Sequence, residues 1–386
     1  MRNHVPDGQV KKADVVIVGA GVIGLSIARS LAQKGLHRII VVERTSPGAE
    51  ASCAAGGMLA PQSEADCADD FFHLACKSRD MYPEFAAALL DESAIDIELD
   101  PTGTLYVAFS EHDQQEIEDR FRWQTAAGLH VEQLSTAELR TLEPAISSGA
   151  RAALRFPLDT QVENRKLVKA LTRSVELCGV QILNGVTVQS LLIGSSGIEG
   201  VHTSSGRIDA SLVVVANGAW VSLLTADAPL TPRILIEPVR GQMLCFEADP
   251  PIVRHVVYSP RGYLVPRHDG RLLAGSTTEH AGFDKSLTAS GVDSITAHAL
   301  EIAPAIGELP LVDSWAGLRP RAADNLPVIG MSSGVRNLYF AGGHYRNGIL
   351  LTPITGALVA EEICTGLPSP LLDSFRPDRF AVAARI

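Results

Sequence analysis

Three glycines, Gly19, Gly21 and Gly24, stand in the hexapeptide GAGVIG, and an acid, Glu43, ends the next apolar run. That combination suits one chemistry, the cradling of a dinucleotide pyrophosphate. The first glycine permits a tight turn, the second lets the backbone approach the phosphates, and the third lets a helix pack closely on a strand. The helix N-terminus adds free N–H groups and the positive end of its dipole. Glu43 falls where an acid accepts hydrogen bonds from ribose hydroxyls. It favours NAD or FAD over a 2′-phosphorylated cofactor and does not separate those two.

The next segment, residues 44–61, reads RTSPGAEASCAAGGMLAP. It is rich in small residues and carries the pair Gly56-Gly57, so its backbone can lie close against an extended ligand.

These groups need elements to hold them. Residues 14–18 and 38–43 read as buried strands and 25–34 as the helix between them, a βαβ unit with a parallel pair. Helical patterns cover 71–90, 111–127, 164–177, 292–302 and 356–364, and apolar strands are expected at 103–109, 180–183, 186–192, 211–216 and 337–341. Strands at 240–246, 262–266 and 271–275 alternate in polarity or are joined by a glycine turn, which predicts an antiparallel sheet. The parallel-type elements lie in separated stretches with the alternating strands between them. The expected fold class is therefore α/β, a Rossmann-like dinucleotide domain in non-contiguous pieces with an inserted α+β domain whose sheet is mostly antiparallel. The boundaries are placed at 13–85, 150–222 and 318–370 for the dinucleotide domain, and at 86–149 and 223–317 for the second. Residues 1–12 are read as a flexible extension.

Composition excludes several classes. The formal charge is −11 with no basic run, which argues against nucleic acid as a partner. The six cysteines include no C-x-x-C pair, and no metal site is expected. No apolar run is long enough to span a bilayer, and the first residues lack the apolar core of a secretory signal, so a cytoplasmic protein is expected.

The motifs GAGVIG, ASCAAGGMLAP, PVRGQ, YLVPR, WAGLRP and GHYRNGILLTP, in that order over residues 14–376, resemble the glycine oxidase group of the D-amino-acid oxidase flavoproteins. The resemblance implies FAD as cofactor and a small amino acid as substrate. It implies that Gly19, Gly21, Val22, Ile23 and Gly24 hold the pyrophosphate, and that Glu43 and Arg44 sit at the adenosine end. Ala51, Ser52, Gly56, Gly57 and Met58 would line the path to the isoalloxazine, with the Val188 backbone beside the adenine. The run His344, Tyr345, Arg346, Asn347, Gly348, Ile349 and Leu350 would follow the flavin ring and ribityl chain. Arg319 matches the arginine that clamps the substrate carboxylate, Tyr263 a tyrosine beside it, and Arg346 a second substrate contact.

Two departures bear on substrate preference. Thr278 stands where some relatives carry a methionine facing the substrate, and Arg261 adds a cation expected near the pocket mouth. Met58, Arg261 and Thr278 are thus expected pocket-lining residues. Covalently flavinylated relatives carry a cysteine near the segment matching 317–327, and none stands there, so the FAD is expected to be non-covalent.

The implied reaction is hydride transfer from the substrate α-carbon to flavin N5, then hydrolysis of the imine to a 2-oxo acid and ammonia, with dioxygen reoxidising the flavin to give hydrogen peroxide. No general base is assigned, and orientation is expected to carry the catalysis. A D-amino-acid dehydrogenase passing electrons to a quinone, a sarcosine-type oxidase and a tRNA-modifying flavin module remain open alternatives. Some members of the group feed thiazole synthesis for thiamine and others are catabolic. Relatives are often tetramers, so a homo-oligomer is expected by analogy.

Overall fold

The strand Lys11–Val18 carries Val15 to Val18 almost fully buried, as a strand covered on both faces must. It pairs in parallel with Ile39–Glu43 on one side and Gly206–Val215 on the other. This computed structural model describes residues 10–383. Residues 1–9 of the expected extension lie outside the described residues, while Lys11 and Lys12 belong to the first strand.

Two eight-stranded sheets organise the chain. The first runs Val328–Met331, Leu338–Gly342, Gly206–Val215, Lys11–Val18, Ile39–Glu43 and Gln181–Asn184 in spatial order. An antiparallel flap, Val188–Gly194 with Gly197–Thr203, joins it along Gly206–Val215. The second runs Leu311–Ala322, Ile236–Glu247, Arg271–Gly275, Gly262–Pro266, Val256–Ser259, Thr104–Ala108, Ala152–Phe156 and Glu132–Leu134. It is antiparallel except where Val256–Ser259 meets Thr104–Ala108. Most of this matches the expected α/β fold with an inserted, mostly antiparallel sheet.

The sheets correct the expected details. Ala152–Phe156 belongs to the second sheet, inside the stretch assigned to the dinucleotide domain, and Leu311–Ala322 straddles the boundary set at 318. The long helical pattern at 71–90 is two helices, Asp70–Asp80 and Tyr82–Ser93, with Pro83 in the first turn of the second, where its missing N–H costs nothing. Residues 44–61 are not all loop, because Ala51–Ala54 is a short helix and Met58–Leu59 pairs with Thr160–Gln161.

The helix Val22–Gln33 packs between the first sheet and Thr352–Thr365, and the three strands flanking it end together at Gly19, Glu43 and Ala216. Gly19, at φ +103°, passes so near Ala216 that an added Cβ would sit 2.6 Å from its carbonyl oxygen. A Cβ on Gly24 would overlap the Gly19 carbonyl itself. Gly24→Ala is therefore expected to separate helix from strand and destabilise the protein by about 1–3 kcal/mol. Urea unfolding of the FAD-free protein reads this directly, and an unchanged midpoint would contradict the close packing.

Candidate active site

The converging strand ends open into a cavity of about 530 Å³ bounded by both sheets. Gly19, Gly21, Val22 and Ile23 form one end, with Glu43, Arg44 and residues Val186 to Gln189 at the start of the flap. Gly21 caps the helix without a side-chain bond, and the helix's first turn carries no acid of its own. Gly24 does not line the cavity, since its place is between helix and strand. Glu43 accepts from the backbone N–H of Ala20 (2.9 Å) and of Thr45 (2.9 Å). Arg44 lies 4.2 Å from the Trp220 ring centroid and pairs with Glu50 at 2.8 Å. The buried Asn217 Oδ1, at the end of the third converging strand, has no hydrogen-bond partner among the described residues. An orphaned acceptor on a residue that lines a long cleft fits a ligand rich in hydroxyls and N–H groups, as FAD is.

Along the middle run Ala51, Ser52, Gly56, Gly57 and Met58, faced by His344, Tyr345, Asn347, Gly348 and Ile349. Leu350 instead lies in the core beneath, where its carbonyl accepts from Ser78. Burial pushes the His344 imidazole down to about 3, so it is neutral. Its Nε2 lies 3.2 Å from Thr355 Oγ1.

At the far end the second sheet supplies Tyr263, Met243, Ser276 and Arg319. Gly241 pairs with Gly317, two residues before Arg319, and a Cβ on Gly241 would overlap the Arg319 guanidinium. Arg319 Nη2 donates to Ser276 Oγ (2.6 Å) and Nη1 to the Thr277 carbonyl (3.0 Å). Both acceptors are neutral, and no carboxylate forms an ion pair with Arg319 among the described residues. Tyr263, 7% exposed, stacks on Tyr258 at 5.9 Å and donates to Met243 Sδ at 3.3 Å. Arg346 is occupied differently. It donates to Tyr258 Oη at 2.5 Å and faces Glu64 at 3.8 Å. Glu64 and then Tyr258 hold its pKa above the usual guanidinium range.

Two expected pocket residues stand elsewhere. Arg261 is locked between Asp113 (2.9 Å) and Glu301 (2.7 Å), outside the cavity lining, so it brings no free cation to a mouth. Thr278 is exposed, and Ser276, two residues earlier, takes the lining position because the chain turns outward there. Sequence reasoning missed Glu64, Asn217, Ser276 and Thr277. Only Asn217 carried a local signal, its place directly after the SLVVVA strand.

Glu279 secures the turn that holds Arg319. It accepts from Thr277 Oγ1 (2.5 Å), Gln242 Nε2 (2.8 Å) and Arg240 Nη2 (2.5 Å), while Gln242 N–H donates to Thr277 Oγ1 (2.9 Å).

An extended cleft at the carboxyl ends of parallel strands, beside a glycine turn and a helix N-terminus, is the geometry of a dinucleotide-dependent enzyme. The family model described as FAD dependent oxidoreductase matches residues 14–362, and the chain belongs to that family. Its cofactor is FAD, and it is an FAD-dependent amino-acid oxidase. It is 35% identical over 352 residues to the glycine oxidase of Geobacillus kaustophilus (strain HTA426), covering 91% of this chain and 92% of that protein. To the Pseudomonas aeruginosa glycine oxidase it is 33% identical over 373 residues, 96% of this chain and 99% of that one. The crystal structure of glycine oxidase from Geobacillus kaustophilus superposes with a TM-score of 0.90 at 32% identity, covering 95% and 98% of the two chains. Among the described residues no helix is long and apolar enough to cross a membrane.

Glu279→Ala is expected to loosen the Ser276–Thr277 turn and raise KM for the amino acid about tenfold, the scale of one charge-assisted hydrogen bond, with a smaller change in kcat. Steady-state kinetics check this, and equal losses in both parameters would point to general damage instead.

Proposed function

We propose that the protein oxidises glycine or a similarly small amino acid, releasing the 2-oxo acid and ammonia, with dioxygen as the electron acceptor and hydrogen peroxide as the second product. The observation that carries the reading is Arg319, a cation in the cavity whose hydrogen bonds reach only neutral acceptors. Its remaining N–H groups can grip a carboxylate in the two parallel bonds a guanidinium favours. Tyr263 adds a hydroxyl on the same wall. The glycine oxidases named above support glycine as substrate.

The lining supports a set of roles. Gly19, Gly21, Val22 and Ile23 would hold the pyrophosphate, Glu43 the ribose, and Arg44 with Val188 the adenine end. Ser52, Gly56, Gly57 and Met58 on one wall, and His344 to Ile349 on the other, enclose the ring system. None of the six cysteines lines the cavity, which supports a non-covalent FAD.

FAD, when bound, supplies the acceptor for the α-hydrogen and its electron pair. The chain's own groups fix the substrate. Arg319 and Tyr263 anchor the carboxylate, so the α-carbon points along the cavity toward the ring wall. The amine must be neutral to expel electrons toward the new C=N bond. His344, at about 3, is a far weaker base than the amine of a free amino acid, so it does not collect that proton. The imine then takes up water outside the chemistry of any side chain here.

Anaerobic glycine is expected to bleach the flavin absorbance near ~450 nm, and air to restore it with peroxide. Restoration by a quinone alone would move the acceptor to a dehydrogenase, and no bleaching by glycine, sarcosine or D-alanine would remove the substrate reading. Arg319→Met is expected to raise KM about 10- to 100-fold, measured with glycine in oxygen uptake. An unaltered KM would place the carboxylate elsewhere.

A further inference from the structure

The far end of the cavity holds two arginines in different states, and the difference lies in one carboxylate. Arg319 meets only neutral oxygens. Arg346 faces Glu64, whose side chain lines the same cavity, is 21% exposed and accepts no hydrogen bond from the described residues. We propose that Glu64 is a specificity-determining residue, a fixed negative charge that admits amines bearing one carboxylate and excludes those bearing two. The proposal rests on the reading of this cavity as an amino-acid site.

Three observations support it. First, the substrate end carries Arg319, Arg346 and Glu64, which leaves one net positive charge. That balances a single carboxylate on a substrate whose amine is neutral. A second carboxylate reaching toward Arg346 would meet Glu64 beside it, and like charges in a partly dry cavity repel strongly. Exclusion by an unfavourable neighbour is how a site rejects a near-relative of its ligand.

Second, Glu64 is held in place from behind. It ends the short helix Pro61–Glu64, and the fully buried Asp159 accepts from the N–H groups of Gln62 (3.3 Å) and Ser63 (2.9 Å). Arg79 Nη1 bonds Gln62 Oε1 at 3.1 Å and Asp159 at 3.4 Å, and Gln124 Nε2 bonds the Gln62 carbonyl at 2.8 Å. This buried polar set fixes the backbone that carries Glu64. It makes the carboxylate a part of the cavity wall, unlike a free surface acid.

Third, Arg346 cannot simply turn away from Glu64. Its Nη2 is tied to Tyr258 Oη, and Tyr258 is wedged in the stack Tyr106–Tyr258–Tyr263, with centroids 5.6 and 5.9 Å apart. Removing the Glu64 charge would leave Arg346 in position as a second, unclaimed anion site.

The test uses the FAD-loaded enzyme and two unreactive carboxylates, acetate and malonate, titrated at neutral pH and constant ionic strength. Binding is read from the perturbation of the flavin spectrum, and wild type is compared with Glu64→Gln and Glu64→Asp. Wild type and Glu64→Asp are expected to prefer acetate. In Glu64→Gln the malonate-to-acetate affinity ratio is expected to rise about tenfold or more, and iminodiacetate to gain on glycine as a substrate. A ratio that stays the same in Glu64→Gln while acetate still binds overturns the filter and leaves the oxidase reading standing. A ratio that rises equally in Glu64→Asp overturns it too, because the charge is then not the cause. If wild type binds neither anion and glycine fails to reduce it, the underlying reading falls with the filter.

Discussion

The guanidinium of Arg267 joins the two halves of this molecule. It follows the strand Gly262–Pro266 of the second sheet and is 4% exposed. Its Nη2 donates to the Gly56 carbonyl (2.8 Å) and to Asn164 Oδ1 (3.1 Å), and its Nη1 to the Val162 carbonyl (2.8 Å) and to Gln161 Oε1 (3.1 Å). No carboxylate pairs with it among the described residues, and burial lowers its pKa only to about 10, so it stays charged. Burying a cation among neutral acceptors is costly. The arrangement persists because four oxygens, two of them backbone carbonyls, would be stranded without it. From Arg267 the connection continues to the phosphate turn. Asn164 Nδ2 donates to the carbonyls of Ser52 (2.8 Å) and Cys53 (3.1 Å), and Ser52 Oγ accepts the Val22 N–H at 3.1 Å. One hydrogen-bonded path thus runs from the antiparallel sheet to the first turn of the phosphate-facing helix.

That path explains why Gly57 must be glycine. Gly57, at φ +78°, is so enclosed by the Val162 carbonyl and the Arg267 guanidinium that a side chain would displace one of them. The turn is therefore clamped from behind while its front lines the cavity. On the proposed reading, orientation catalysis needs this rigidity, because Arg319 and the glycine turn at Gly19 come from different sheets. An error of position between the sheets would be felt in full at the reacting carbon.

The groups legible in the sequence were those whose role shows in their own type and spacing. The glycines of GAGVIG and the acid Glu43 fall at strand ends because backbone periodicity sets that distance. The family motifs led to Arg319 and Tyr263, and both line the cavity. The illegible ones take their meaning from distant partners. Arg261 reads as a free cation until Asp113, far upstream in sequence, is seen beside it. Thr278 and Ser276 are interchangeable on paper, and only the outward turn after Gly275 separates them. Glu64 lies in an acid-rich segment, and its contact with Arg346 spans most of the chain. Arg267, inside the YLVPR motif, gave no sign that it would be buried without an ion pair.

The acidic exterior and the cationic cavity belong to one electrostatic design. The chain carries −11 overall, which would oppose the approach of an amino-acid anion if charge acted uniformly. It does not act uniformly. Charges in water are screened within roughly 8–10 Å at physiological salt. Arg319, half-buried in the cleft, acts in a medium where the same charge is worth several times more. The surface sets solubility, and the few groups inside the cavity set binding. His344 is kept neutral by burial, Arg44 pairs with Glu50 and Arg346 faces Glu64, so among the lining cations Arg319 alone has no carboxylate beside it. On the proposed reading, a small anion entering the cleft has a single favourable orientation, with its carboxylate at Arg319 and its α-carbon turned back along the cavity.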